Sequence, residues 1–146
     1  MRFLLIDRIT EVKKNDMAIG IKNLAMNEDY FEHHFPFFPI MPGVLMLESM
    51  VQLASWLVSF SQDFKAFALL QSLSSAKFRK PIQPGDSLKI QVQIDSRREP
   101  ILAISGVITL EDKTIATAQF EIILMETDEE EKKFLQKHYR FLTTRL

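Results

Sequence analysis

The residues best suited to chemistry lie in one string, His33-His34-Phe35-Pro36-Phe37-Phe38-Pro39-Ile40-Met41-Pro42-Gly43-Val44-Leu45-Met46-Leu47-Glu48. Imidazole titrates near neutrality, so a histidine held on a bent loop suits the role of general base. His33 and His34 compete for that role, because adjacent residues point in different directions and periodicity cannot choose between them. Glu48 follows in an apolar run. An ionised carboxylate in such surroundings costs several kcal/mol, which favours the protonated acid, a proton donor. The same burial also fits a structural Glu that pairs with a buried base or fills a backbone gap. Between the two groups, Pro42 suits the first position of a helix, where its missing amide hydrogen would have had no partner. Gly43 then offers no side chain to obstruct a ligand. The amides of Gly43 and Val44 fall at the positive end of that helix, where they can bind a carbonyl oxygen gaining charge in an enolate-like transition state. Every helix has such an end, so the amides acquire meaning only from the His and Glu beside them.

The elements that must position these groups follow from periodicity. Ile6 to Lys13 and Met17 to Ala25 read as two strands joined at Asn15-Asp16, a dipeptide that tolerates a tight turn. Asn27-Glu28-Asp29 reads as a cap for a single helical turn, followed by the loop from His33 to Met41, which holds two of the six prolines. A helix is expected from Pro42 to about Phe60. Its apolar residues occupy nearly every side, as in a helix covered all round. The exception is a polar stripe, Glu48, Gln52, Ser55 and Ser59, on one face. Gln52 is one turn beyond Glu48 and can hold its carboxyl. The rest reads as long strands, Ala66 to Ser74, Ser87 to Ser96, Ile101 to Leu110 and Thr114 to Met125. Turns at Pro84-Gly85-Asp86, Arg98 to Pro100 and Glu111-Asp112-Lys113 separate them into an antiparallel meander. One buried helix and a sheet long enough to wrap it make an α+β architecture. The domain is expected over residues 1–126. A tail over 127–146 starts with the acidic run Asp128 to Glu131 and continues with Phe134, Leu135, His138, Phe141 and Leu142 at helical spacing.

Composition bounds the function. A chain of 146 residues that is 47% hydrophobic and 25% charged has the size and balance of one globular domain. Its 18 basic and 19 acidic residues nearly cancel, so no global field draws it to nucleic acid or an anionic membrane. The absence of cysteine removes disulfides, thiolate nucleophiles and zinc-thiolate sites, and fits a reducing compartment; a cytoplasmic protein is expected. Met1 to Ile6 is apolar apart from Arg2, but Asp7 and Arg8 end it short of a signal-peptide core or membrane span.

The motifs resemble a known signature. His34-Phe35-Pro36, Pro39-Ile40-Met41-Pro42-Gly43-Val44, then Leu47-Glu48 and Gln52, are similar to the pattern of the β-hydroxyacyl-acyl carrier protein dehydratases of bacterial fatty-acid synthesis. Phe3-Leu4-Leu5-Ile6-Asp7-Arg8, Lys77-Phe78-Arg79-Lys80-Pro81 and Pro84-Gly85-Asp86 extend the resemblance over roughly Phe3 to Met125. It implies a hotdog fold, with an antiparallel sheet wrapped around a long central helix. It also implies homodimers or trimers of dimers, and a site shared between the His of one subunit and the Glu of the other. In that family the catalytic His directly precedes Phe-Pro, which selects His34 over His33 and places the acid on Glu48. A related branch that also isomerises the double bond carries Asp at the acid position.

The activity so implied is removal of water from β-hydroxyacyl thioesters to give trans-2-enoyl thioesters, with neither cofactor nor metal. Phe37, Phe38, Met46, Met50 and Trp56 become candidate walls of an acyl tunnel. Acyl carrier protein is acidic, so Lys77, Arg79 and Lys80, or Arg97 and Arg98, are candidate docking residues. The sequence departs from the family where Gly usually flanks His-Phe-Pro, with His33 and Phe37 in those places. Two rival readings share the fold: a hotdog thioesterase, and a non-catalytic acyl-binding module.

Overall fold

The computed structural model describes residues 3–144. Six strands, β1 (Arg8–Lys13), β2 (Met17–Asn23), β3 (Ala66–Phe78), β4 (Ser87–Arg98), β5 (Ile101–Leu110) and β6 (Lys113–Glu126), form one antiparallel sheet in the order β1-β2-β4-β5-β6-β3. The helix α1 (Gly43–Ser61) lies against it, and a single 3-10 turn covers Asp29–Phe31. A sheet curled around one long helix is the hotdog arrangement.

Alternation accounts for which face turns inward. Along β5 every second residue is buried, from Leu102 through Ile104, Gly106 and Ile108 to Leu110, and Leu88, Ile90 and Val92 do the same on β4. Met50, Leu53, Ala54 and Leu57 of α1 are fully buried against this face. A side chain of this size contributes about 1.5–3 kcal/mol when sealed from water. The seat is close at Gly106, where a Cβ would stand 2.6 Å from the Met50 sulfur. Only a residue without one lets α1 settle there.

Two expectations need correction. The strands after α1 are not a simple meander: β4, β5 and β6 are consecutive neighbours, but β3 crosses to the far edge and pairs with β6. Pro84-Gly85-Asp86 therefore ends a crossover instead of turning a hairpin. Its backbone is tied to the β2 exit by Leu24 N–H to Asp86 O and Gly85 N–H to Leu24 O. Turn chemistry in the sequence marks a reversal of the chain but not the neighbour it returns to. Nor is α1 covered all round, since Val44 is 70% exposed and Glu48, Gln52, Ser55 and Trp56 are only partly buried.

Residues after the sheet form α2 (Glu129–Thr143). The acidic run is its start: Glu131 N–H donates to Asp128 Oδ1 at 2.7 Å and Asp128 N–H to Glu131 Oε2 at 2.9 Å, a reciprocal cap at the positive helix end. The helix folds back on α1, with His138 stacked on Trp56 at 5.5 Å and Tyr139 on Phe60 at 5.3 Å, and Leu142 buried. Burial raises the Tyr139 phenol above its usual range.

Candidate active site

His34 is fixed by its own loop. Its Nδ1 lies 2.9 Å from the Ile40 carbonyl, and Ile40 N–H donates back to the His34 carbonyl at 2.9 Å. A carbonyl only accepts, so Nδ1 carries the hydrogen and Nε2 keeps its lone pair, the form a general base needs. The Phe35 ring stacks on the imidazole at 4.3 Å. Phe35 and Phe38 close the intervening loop by exchanging backbone hydrogen bonds, each at 3.0 Å, and Met41 N–H ties its end to Ile82 of the crossover. The prolines bend the loop and the reciprocal His34–Ile40 bonds lock it.

α1 begins at Gly43, with Pro42 as its N-terminal cap residue and the Pro42 carbonyl accepting from Leu45 N–H at 2.9 Å. The amides of Gly43 and Val44 find no acceptor among the described residues, as expected for the first turn of a helix. At Gly43 too a side chain would not fit freely, because its Cβ would meet the Phe78 ring at 3.2 Å. Phe78 of β3 therefore lies directly against the helix start.

Glu48 is partly exposed, not sealed in the core as an all-apolar helix would place it. Gln52 holds it, with Nε2 donating to Glu48 Oε1 at 3.0 Å. Gln52 also fastens the N-terminal segment, donating to the Phe3 carbonyl at 2.9 Å and accepting Leu5 N–H at 3.0 Å. One amide thus orients the carboxyl and anchors the strap across it, while Glu48 Oε2 makes no hydrogen bond among the described residues.

No hydrogen bond joins His34 to Glu48 within the chain among the described residues. Loop and helix each present one member of the pair. Val44 beside the helix start, Phe78 against it, and Leu69, Leu70 and Leu73 farther along β3 are all exposed. β3 is an edge strand, so its outer row of backbone groups is unpaired within the chain.

The expected tunnel walls separate. Met46 and Met50 are core packing, Met50 spent on the Gly106 contact, so neither forms a wall open to a ligand in this chain. The reason is the helix phase: both face the sheet. Phe37 is fully exposed and Phe38 half-exposed on the loop. Trp56 borders a cavity of about 230 Å³, together with Gln52, Ser55, Ser59, Leu135 and His138. Sequence reasoning missed Leu135 and His138 as neighbours of this region; their helical spacing was visible, but not the helix on which they would fold.

The basic candidates also separate. Lys77 and Arg79 share a groove on the outer sheet face and flank Phe78 at the helix start, with Lys80 next in the chain. Arg97 and Arg98 end β4 elsewhere. Lys77 aligns with Thr117 on β6, while Arg97 aligns with Leu102 and through it Ile122, five residues and about 17 Å farther along that strand.

A family model described as the FabA-like domain matches residues 1–119. The chain is 41% identical over 132 residues to the 3-hydroxyacyl-acyl-carrier-protein dehydratase FabZ of Solibacter usitatus, covering 89% of this chain and 80% of that one. Against the protein of the same name from a Thermoanaerobacter species it is 40% identical over 125 residues, covering 85% and 88%. Among solved structures it resembles a chain of the dehydratase heterocomplex ApeI:P from Xenorhabdus doucetiae, with a TM-score of 0.64 at 23% identity over 77% of this chain and 92% of that one. It also resembles a hypothetical thioesterase with coenzyme A from Streptococcus pneumoniae TIGR4, with a TM-score of 0.62 at 15% identity over 84% and 90%. At such identities the two structures speak for the fold alone.

Proposed function

The chain belongs to the FabA-like domain family, and from that premise we propose that His34 and Glu48 carry out its reaction from opposite sides of a subunit interface. The reaction is dehydration of 3-hydroxyacyl thioesters of acyl carrier protein in fatty-acid synthesis, a hydro-lyase activity. The observation that carries the assignment of roles is the His34 Nδ1 contact with the Ile40 carbonyl, which leaves Nε2 as the basic nitrogen.

In this reading Nε2 removes a proton from the carbon next to the thioester carbonyl. The amides of Gly43 and Val44 stabilise the charge that builds on the carbonyl oxygen. The electron pair then forms the carbon–carbon double bond as the β-hydroxyl departs, taking its proton from Glu48 and leaving as water. A trans-2-enoyl thioester remains, with His34 protonated and Glu48 ionised until a proton returns from one to the other. Gln52 is a positioning residue that keeps Glu48 Oε2 directed at the leaving group.

The exposed Leu69, Leu70 and Leu73 on the β3 edge, and the lack of a His34–Glu48 bond within one chain, favour a homodimer paired along β3, with a trimer of dimers as its higher form. Lys77, Arg79 and Lys80 are the preferred docking surface for acidic acyl carrier protein, because Lys77 and Arg79 share one groove and adjoin in sequence Phe78, which meets the helix start; Arg97 and Arg98 are displaced from it. A reducing compartment, the cytoplasm, suits the cysteine-free chain.

Absorbance of the conjugated enoyl thioester tests the reading. The purified protein is expected to interconvert 3-hydroxyacyl- and enoyl-acyl carrier protein. Release of free thiol without enoyl product would instead mark a thioesterase, and tight acyl binding without turnover a binding module.

A further inference from the structure

Lys22, near the exit of β2, is the only buried charged residue among the described ones, at 4% exposure. Lysine is seldom buried without ionic partners, and Lys22 has two. Its Nζ donates to Glu28 Oε1 at 2.8 Å and lies 3.6 Å from Asp7 Oδ1. The partners belong to different parts of the fold. Asp7 is fixed to β2: its N–H donates to the Ile21 carbonyl at 2.8 Å, and its Oδ2 accepts from Asn23 N–H at 2.6 Å. Glu28 is the cap residue of the 3-10 turn Asp29–Phe31, yet its side chain makes no capping bond and is given to Lys22 instead. From that turn the backbone leads directly to the base. Phe31 N–H donates to the Glu28 carbonyl at 3.0 Å, and His34 N–H to the Tyr30 carbonyl at 3.1 Å. The Tyr30 phenol feels the same cluster: burial first, then the carboxylates of Glu28 and Asp7, push it above its usual range.

We propose that Lys22 and Glu28 are positioning residues for the dehydration: their ion pair fixes where the 3-10 turn sits against β2 and, through the Tyr30 carbonyl, where the His34 imidazole stands. The inference rests on the dehydratase reading above. The Nδ1 contact with Ile40 fixes the tautomer of His34 and the inner shape of its loop, but not the place of that loop on the sheet. Lys22 and Glu28 supply a tie between the two. Burial makes the tie specific, because a turn seated elsewhere would take the Glu28 carboxylate from the ammonium and leave it short of a partner. The chemistry depends on that seat. Proton abstraction needs Nε2 within reach of the carbon-bound proton, and a misplacement of about 1 Å can cost on the order of a hundredfold in rate.

Asp7 shares the cluster but not the turn, so it separates positioning from stability. Glu28→Ala is expected to lower kcat by at least about tenfold while KM changes by less than about threefold. It should also speed hydrogen exchange at the His34 amide, whose acceptor is the Tyr30 carbonyl. Asp7→Asn, which takes a charge from the same lysine, is expected to lower Tm but keep kcat within about twofold and the His34 exchange unchanged. Lys22→Met is expected to lower both Tm and kcat. Adding Glu28→Gln removes an uncompensated anion and should raise Tm again without restoring kcat. A kcat loss no greater for Glu28→Ala than for Asp7→Asn, unchanged His34 exchange in Glu28→Ala, or kcat returning with Tm in the double variant would overturn the proposal. Each of these results would assign the cluster to stability alone. If Lys22→Met does not fold, the Glu28 and Asp7 variants decide, since both carboxylates reach solvent in part. Failure of the dehydratase reading would appear separately, as no enoyl product from the unmodified protein.

Discussion

At His34 the assignment depends on one backbone carbonyl. Ile40 O fixes the Nδ1–H tautomer, so His34→Ala should remove the base and lower kcat by at least about a hundredfold, as should Glu48→Gln for the acid, with melting curves unchanged. His33→Ala should be much milder, since His33 is exposed at the outer side of the loop. Comparing the three variants by enoyl absorbance checks the register, and equal losses at His33 and His34 would contradict it. The sequence displayed both candidate groups, because a histidine on a proline-bent loop and a glutamate in an apolar run are each conspicuous. It did not choose between His33 and His34 without the family motif, since the deciding contact is a backbone carbonyl six residues away. Glu48 shows a different limit. An apolar run argued for a sealed carboxyl, whereas the helix turns that residue away from the sheet, and hydropathy does not distinguish a face packed on a sheet from one left for a partner.

At the scale of elements, α1 positions the chemistry through Gln52 and Gly43. Gln52 joins Glu48, Phe3 and Leu5, so Gln52→Leu should free both the carboxyl and the strap. The expected result is a fall of about ten- to a hundredfold in kcat with a smaller change in KM, separable by steady-state kinetics. Loss of KM alone would assign Gln52 to substrate binding instead. The Asp128–Glu131 cap makes a separate stability claim: Asp128→Ala should cost about 1 kcal/mol, visible as a fall of a few degrees in Tm. Strand and helix existence was legible throughout from alternation and helical spacing. The position of β3 was not, because the crossover before β4 carries the same proline and glycine punctuation as a hairpin. Its departure from the meander is what puts Phe78 against the start of α1.

Across the whole molecule, the sheet ends in an apolar strand edge, and the two groups proposed to transfer protons, His34 and Glu48, lie on separate elements with no hydrogen bond between them among the described residues. An assembly resolves both features at once. Leu70→Glu with Leu73→Glu should therefore shift the protein to a smaller species in solution scattering and abolish turnover while leaving the wrapped helix intact. None of this was written in periodicity, since a sequence records which residues are apolar but not which surface a second copy covers. The central claim, dehydration by His34 of one subunit with Glu48 of another, is tested most directly by mixing two inactive variants. His34→Ala and Glu48→Gln proteins, unfolded together and refolded, should regain enoyl-forming activity, because a mixed dimer contains one site with both groups native. Statistical mixing sets the expected recovery at roughly a quarter of the native rate per site. No recovery from mixed dimers shown to have formed would contradict the shared site and return both groups to a single chain.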